Sequence, residues 1–127
     1  MKKRFNINKH ETIMPIKSHK FDAGYDIYMP QTIAIQPFET LSIDLKVKVT
    51  LAENECGIIC MRSSLAKEGL IAHTSPIDYG YTGNIHLIVT NCSPKKKYFD
   101  CGERYCQLVI FKIPIEEDEE LFIDRLR

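Results

Sequence analysis

The strongest order in this chain is a period of two. Leu41, Ile43, Leu45, Val47, Val49 and Leu51 alternate with Ser42, Asp44, Lys46, Lys48 and Thr50. Alternation of that kind marks a strand with one face buried and the other in water. It predicts one unbroken strand over residues 41–51. Shorter runs rich in β-branched and aromatic residues predict further strands at 12–16, 25–28, 32–35, 57–61, 85–90 and 105–113. Turn formers separate them: Asp22-Ala23-Gly24, Pro30, Gln36-Pro37, Glu53-Asn54-Glu55, Cys92-Ser93-Pro94 and Asp100-Cys101-Gly102. The stretch Ser75-Pro76-Ile77-Asp78-Tyr79-Gly80-Tyr81-Thr82-Gly83-Asn84 reads as a hairpin turn, with glycines for a positive φ and Asp78 where the incoming strand ends. Only residues 64–69 read as helix, with a serine to cap it and Gly69 to stop it. Many short strands and one short helix predict an all-β protein, an antiparallel barrel or a two-sheet sandwich such as a jelly roll.

Bulk properties narrow the partners. At 127 residues the chain suits one domain spanning 1–127. Seventeen Lys and Arg balance seventeen Asp and Glu, so no net field draws the molecule to nucleic acid or to a membrane surface, and any anion site must be local. The apolar runs are too short to span a bilayer, and no apolar core follows Met1-Lys2-Lys3-Arg4, so a cytoplasmic protein is expected. Five cysteines form no Cys-x-x-Cys pair, and their odd number suits reduced thiols. Cys56, Ile58 and Cys60 share one strand face and are expected in the core. Lys95-Lys96-Lys97 is expected as a solvated loop, and Glu116-Glu117-Asp118-Glu119-Glu120 as part of an exposed acidic segment from about residue 114.

Polar residues gather at the predicted turns. Arg62-Ser63-Ser64 ends a strand and opens the short helix, which brings a guanidinium, two hydroxyls and unpartnered N–H groups together. That set suits a phosphate, although a helix cap beside a surface arginine would look the same. Asp26 follows a tight turn, Gln107 enters a strand from another, and Asp78 could serve its own backbone or a reaction. The histidines at 73 and 86 flank the hairpin; His73 could approach a ligand there, but a surface or interface histidine is the expectation. Tyr25, Tyr28, Tyr98 and Tyr105 are expected in the core or at an interface.

Taken in order, these segments resemble the trimeric dUTP diphosphatase (dUTPase) family. Its motifs Ala-Gly-x-Asp, Arg-Ser-Ser/Gly-Leu, Ile-Asp-x-x-Tyr-x-Gly and Gly-Asp/Glu-Arg-x-x-Gln have counterparts in sequence order. They are Ala23-Gly24-Tyr25-Asp26, Arg62-Ser63-Ser64-Leu65, Ile77-Asp78-Tyr79-Gly80-Tyr81-Thr82-Gly83 and Gly102-Glu103-Arg104-Tyr105-Cys106-Gln107. The resemblance runs from about Pro15 to Ile113, and the ordered set is far more specific than any one member. It implies a distorted jelly roll, with one short helix after Arg62-Ser63-Ser64, assembled as a homotrimer with active sites at subunit interfaces. It implies hydrolysis of dUTP to dUMP and pyrophosphate, with Asp78 as the base that activates a water for attack on the α-phosphate. Tyr81 would lie under the deoxyribose, and the backbone of residues 73–85, Ile77 and Gly83 included, would read the uracil. Arg62, Ser63, Ser64 and Gln107 would hold phosphates, and Mg2+ would bridge them with Asp26 near the ion or its waters.

Departures from the pattern leave other chemistry open. The family's glycine-rich fifth motif, Arg-Gly-x-x-Gly-Phe-Gly-Ser-x-Gly, is missing from these residues, so weak turnover is expected unless such an arm comes from elsewhere. Gly80 stands where an acid is common, and Ser75 where a glycine is usual. The hairpin also resembles that of the dCTP deaminases, whose proton-shuttling glutamate is replaced here by Ile88. A nucleotide-binding regulatory protein with little catalysis is the third alternative.

Overall fold

Residues 3–116 are described by a computed structural model, and within them ten strands and one helical turn are formed. In chain order they are β1 (Phe5–Ile7), β2 (Gly24–Tyr28), β3 (Ile33–Ile35), β4 (Thr40–Asp44), β5 (Val47–Val49), β6 (Glu55–Met61), α1 (Ser63–Ala66), β7 (Leu70–Ala72), β8 (His86–Asn91), β9 (Lys97–Phe99) and β10 (Arg104–Lys112). All pairings are antiparallel: β1 with β5, β10 between β2 and β6, β3 with β9, and β8 between β4 and β7. Only β7 and β8 are neighbours both in sequence and in space. The other pairings join distant segments, as expected of a jelly roll and not of a meander. Their inner faces enclose one core, in which Ile27, Ile35, Leu45, Leu87, Phe99 and Leu108 are buried. No helix among the described residues is long and apolar enough to cross a membrane.

The long alternating run proves to be two strands. Ile43, Leu45, Val47, Val49 and Leu51 are all buried, so the side-chain alternation holds throughout. The backbone breaks at Lys46, which takes φ 59° while its N–H donates to the Asp44 carboxylate at 2.8 Å. One buried face thereby serves two sheets, β4 pairing with β8 and β5 with β1.

Other expectations need correction. Residues 12–16 form no strand: Ile16 makes a single bridge to Asp26, Thr12 and Pro15 are buried, and Ile13 and Met14 face solvent. The three-residue strands β1, β7 and β9 were not expected, because so short a segment carries too little alternation to be read. Helix α1 covers Ser63–Ala66, one turn shifted toward the N-terminus from the expected 64–69, with Arg62 at the N-cap and no side-chain cap, so Ser63 and Ser64 lie inside the helix and neither caps it. Cys56, Ile58 and Cys60 do share a face of β6, but it is the half-buried one; the core takes Glu55, Gly57 and Ile59. Of the five cysteines only Cys106 is buried, and Cys92 and Cys101 are exposed. Tyr98 is exposed, with Lys96 over its ring, whereas Tyr25 and Tyr105 pack edge-on against Phe5 and Phe99. Lys97 joins β9 and reaches Glu68 at 3.4 Å. The acidic segment beyond Glu116 lies outside the described residues.

Candidate functional site

The sequence-predicted residues gather at two places, each tied to one half of β6. Near the start of that strand, Ile77 and Gly57 exchange backbone hydrogen bonds of 2.7 and 3.0 Å. This bridge anchors the segment 73–85, which joins β7 to β8 as a wide loop and not as the tight hairpin expected. Within the loop the Tyr81 N–H donates to the Asp78 carbonyl at 3.2 Å, and Gly80 takes φ 90°. Gly83 serves close approach, not a left-handed φ: a Cβ there would stand 2.6 Å from the Tyr81 hydroxyl. That hydroxyl donates to the Asn84 carbonyl at 2.8 Å, which pins the ring across the loop. The Asn84 amide donates to Asp44 at 3.3 Å. Partial burial pushes the Asp44 carboxyl up, but the Lys46 N–H, the Asn84 amide, the Lys46 ammonium and His86 outweigh it and hold the group below its ordinary value of 3.8. Asp78 and Tyr81 are exposed, and with Ile77, Asn84, Ile85 and His86 they line a cleft of about 280 Å³. His73 lies outside it, its Nε2 2.6 Å from the Thr90 hydroxyl.

At the other end of β6 lies a polar cleft of about 530 Å³, lined by Ser18, His19, Asp22, Asp26, Arg62, Ser63, Ser64, Arg104 and Gln107. Arg62 is placed by its N–H, which donates to the Tyr105 carbonyl at 3.1 Å, and by its guanidinium, which donates to the Arg104 carbonyl at 3.3 Å. Gln107 stands opposite Asp26 in the β2–β10 register. Gly24 makes room for it, since a Cβ there would meet Gln107 Oε1 at 2.7 Å and the Leu108 carbonyl at 2.9 Å. The first and fourth motifs are therefore one packing unit. Arg104 donates to Asp26 at 3.2 Å and to the Ser18 hydroxyl at 3.4 Å. Arginines, hydroxyls and the N–H groups that open a helix suit a chain of phosphates.

Sequence reading named neither Arg104, Ser18, His19 nor Asp22 as site residues. Arg104 carried a signal, because it stands in the Gly-Glu-Arg motif; Ser18 and His19 carried none beyond their proximity to the Asp22 turn.

The two clefts share no lining residue. Gly57 and Arg62 are five residues apart along an extended strand, a span of about 17 Å. Asp78 and Tyr81 are thus not brought together with Arg62, Ser63, Ser64 and Gln107 within one chain. Strand β8 itself carries no carboxylate, and Ile88 stands opposite Ser42.

Known proteins share this sequence and fold. Residues 10–126 match the family model described as dUTPase. The deoxyuridine 5'-triphosphate nucleotidohydrolase of Clostridium kluyveri is 35% identical over 114 residues, covering 87% of this chain and 78% of its own. The Pol polyprotein of equine infectious anemia virus is 36% identical over 91 residues, 72% of this chain, which there spans only 8% of the polyprotein's length. Among solved structures, a mutant dUTPase from phage phi11 of S. aureus, which coordinates a structural Mg(II) ion, superposes with a TM-score of 0.83 at 25% identity, covering 91% of this chain and 93% of that one.

Proposed function

The chain belongs to the dUTPase family, its family model covering residues 10–126, and on that premise we propose that it hydrolyses dUTP to dUMP and pyrophosphate at sites assembled from two copies of the chain. The observation that carries this reading is the pair of clefts. One offers a carboxylate beside a tyrosine ring, the other arginines, hydroxyls and an amide, and about 17 Å of β6 lies between them. The deoxyribose and α-phosphate of one nucleotide are only a few bonds apart, so one chain cannot use both its own halves on one substrate. A neighbouring copy that sets its phosphate cleft against this chain's Asp78 completes a site. The outer face of the β2–β10–β6 sheet supports such contact: Ile58, Val109, Phe111, Cys56 and Cys60 lie beside Gln107 on it, half-buried or exposed. Three copies, a homotrimer, follow from the family resemblance.

In the completed site Tyr81, held by Asn84 and given space by Gly83, forms the floor for the deoxyribose, where a 2′-hydroxyl would collide with the ring. Loop backbone anchored through Ile77 faces the base. Asp78 takes a proton from a water as the water's oxygen attacks the α-phosphorus; the bond from that phosphorus to the bridging oxygen breaks, and pyrophosphate leaves with the electron pair. Arg62, Ser63, Ser64 and Gln107 hold the phosphates and stabilise the charge that builds on them.

The described residues hold no grouping of three or more His, Cys, Asp or Glu that could cage a metal. This fits Mg2+ carried by the substrate, an ion that keeps most of its waters and uses few protein carboxylates. Asp26 would meet it through a water, and when bound the ion would neutralise phosphate charge.

The test is pyrophosphate release from dUTP by the wild type and by Asp78→Asn, with a loss of about a hundredfold to ten-thousandfold expected in the variant. Equal turnover in both would remove Asp78 from the chemistry. Mixing Asp78→Asn with Arg62→Gln tests the shared site. In an equal mixture three-quarters of the trimers are mixed, and each holds one intact site of three, so about a quarter of wild-type activity returns. No recovery after subunit exchange would place the whole site within one chain.

A further inference from the structure

In a regular strand, residues three apart point to opposite faces, yet Arg104 and Gln107 both face the polar cleft. The cause is a bulge. Arg104 pairs with Tyr28 and Cys106 with Ile27, so β10 spends one extra residue, Tyr105, against β2. After the bulge Cys106 and Leu108 enter the core and Gln107 stands opposite Asp26; before it, Arg104 is turned outward to the same side as Gln107. A bulge that re-aims a side chain into a cleft is a device, not an accident of folding. Without it the alternation that buries Cys106 and Leu108 would send Arg104 into the core.

What holds the guanidinium is equally specific. Arg104 Nη1 donates to Asp26 Oδ2 at 3.2 Å and to Ser18 Oγ at 3.4 Å, and Ser18 Oγ donates to Asp26 Oδ2 at 3.5 Å. The Asp26 backbone is fixed from its other side by the bridge to Ile16, at 2.7 and 3.3 Å. Both Arg104 contacts use one nitrogen of three, so donors remain for a ligand in the cleft. The pair is only partly exposed, 38% for Arg104 and 22% for Asp26.

We propose that Arg104 is a further phosphate-contacting residue, and that Asp26 is a positioning residue that acts through it. This deepens the reading of the cleft given above and rests on it. The bulge sets the direction of the guanidinium, Asp26 and Ser18 set its rotamer, and Arg62 approaches the same cleft from α1, so a pyrophosphate unit meets an arginine on two sides.

A binding cycle tests this without turnover. Inorganic pyrophosphate is titrated calorimetrically in EDTA into the wild type, Arg104→Gln, Asp26→Asn and the double variant. Arg104→Gln is expected to weaken binding about tenfold to a hundredfold, the worth of a lost charge-assisted contact. Asp26→Asn weakens it several-fold on its own and adds nothing in the Arg104→Gln background. Arg104→Lys, which keeps charge but not the fork, falls between, and it decides the matter if Arg104→Gln does not fold. Wild-type affinity in both Arg104 variants, or losses that multiply in the double variant, would overturn the proposal. So would tighter binding by Asp26→Asn, because the carboxylate would then only neutralise the arginine. Failure of the dUTP reading shows separately, as no pyrophosphate released from dUTP by the wild type, and leaves the cycle interpretable.

Discussion

Gly83→Ala separates the role proposed for Tyr81 from that of the fold. Gly83 takes no left-handed φ, so alanine fits its backbone without strain. The new Cβ, however, would lie 2.6 Å from Tyr81 Oη, 2.8 Å from Cζ and 3.3 Å from Cε1. Ordinary contact begins at 3.4 Å, so the hydroxyl must retreat by about 0.8 Å, the difference between 3.4 and 2.6 Å. Its 2.8 Å bond to the Asn84 carbonyl cannot survive that movement. Tyr81 is 48% exposed, so the ring can swing toward solvent and the core is undisturbed. Loss of the hydrogen bond costs about 0.5–1.5 kcal/mol, a factor of roughly two to ten. Displacing the ring proposed to floor the sugar by nearly 1 Å can raise the penalty to about a hundredfold. Fold stability should change little, since replacing a loop glycine restricts the unfolded chain by about 0.4–1 kcal/mol and offsets most of the lost hydrogen bond. The expected result is a kcat/KM for dUTP reduced about tenfold to a hundredfold, weaker discrimination against UTP, and a melting midpoint within a few degrees of wild type. Pyrophosphate release from both nucleotides and a thermal melt supply the data. Wild-type kcat/KM and selectivity would refute the role given to Tyr81, and a fall in melting midpoint well beyond a few degrees would show that the loop is packed more tightly than its exposure implies.

Other expectations concern the scaffold and its thiols. Glu55, buried at the start of β6, accepts from Arg4 at 2.7 and 3.2 Å and from the Ala52 N–H at 2.7 Å, and the Arg4 hydrogen bonds hold its carboxyl below the ordinary 4.5. A depressed carboxyl stabilises the fold above its unfolded value and loses that contribution as pH falls through the folded one. Glu55→Gln should therefore cost about 1–3 kcal/mol near neutral pH, with the gap to wild type closing below pH 4.5 in urea melts; a gap independent of pH would exclude the ion pair as its source. Leu108→Ala, at the centre of β10 and fully buried, should cost about 2–5 kcal/mol by the same measurement, and a loss under about 1 kcal/mol would mean that the neighbouring strands close over the cavity. Burial pushes the Cys106 thiol up to about 12, so a thiol reagent at pH 8 should label Cys92 and Cys101 rapidly and Cys106 only on unfolding; rapid labelling of Cys106 in the native protein would show β10 opening locally.

Alternating residues and turn formers determined the fold class, the core face of residues 41–51 and the positions of most long strands, because those properties depend on neighbours two residues apart. The ordered motifs determined the family and the residue types of the candidate site, since each motif is local. Pairing partners, by contrast, lie far apart in sequence, and no local pattern encodes them. The tertiary structure alone decided that the alternating run changes sheets at Lys46, where an Asp44 hydrogen bond and a positive φ interrupt the backbone without disturbing the side chains. It decided which face of β6 is core, because Cys56 and Cys60 are as apolar as Ile59 and only the layer packed on each face distinguishes them. It turned Arg104 beside Gln107, since a bulge is set by the register between β10 and β2 and not by the spacing of the motif. And it tied the Asp78 loop to the start of β6 through the Gly57–Ile77 bridge while leaving Arg62 just past the strand's other end, so the two residues line separate clefts.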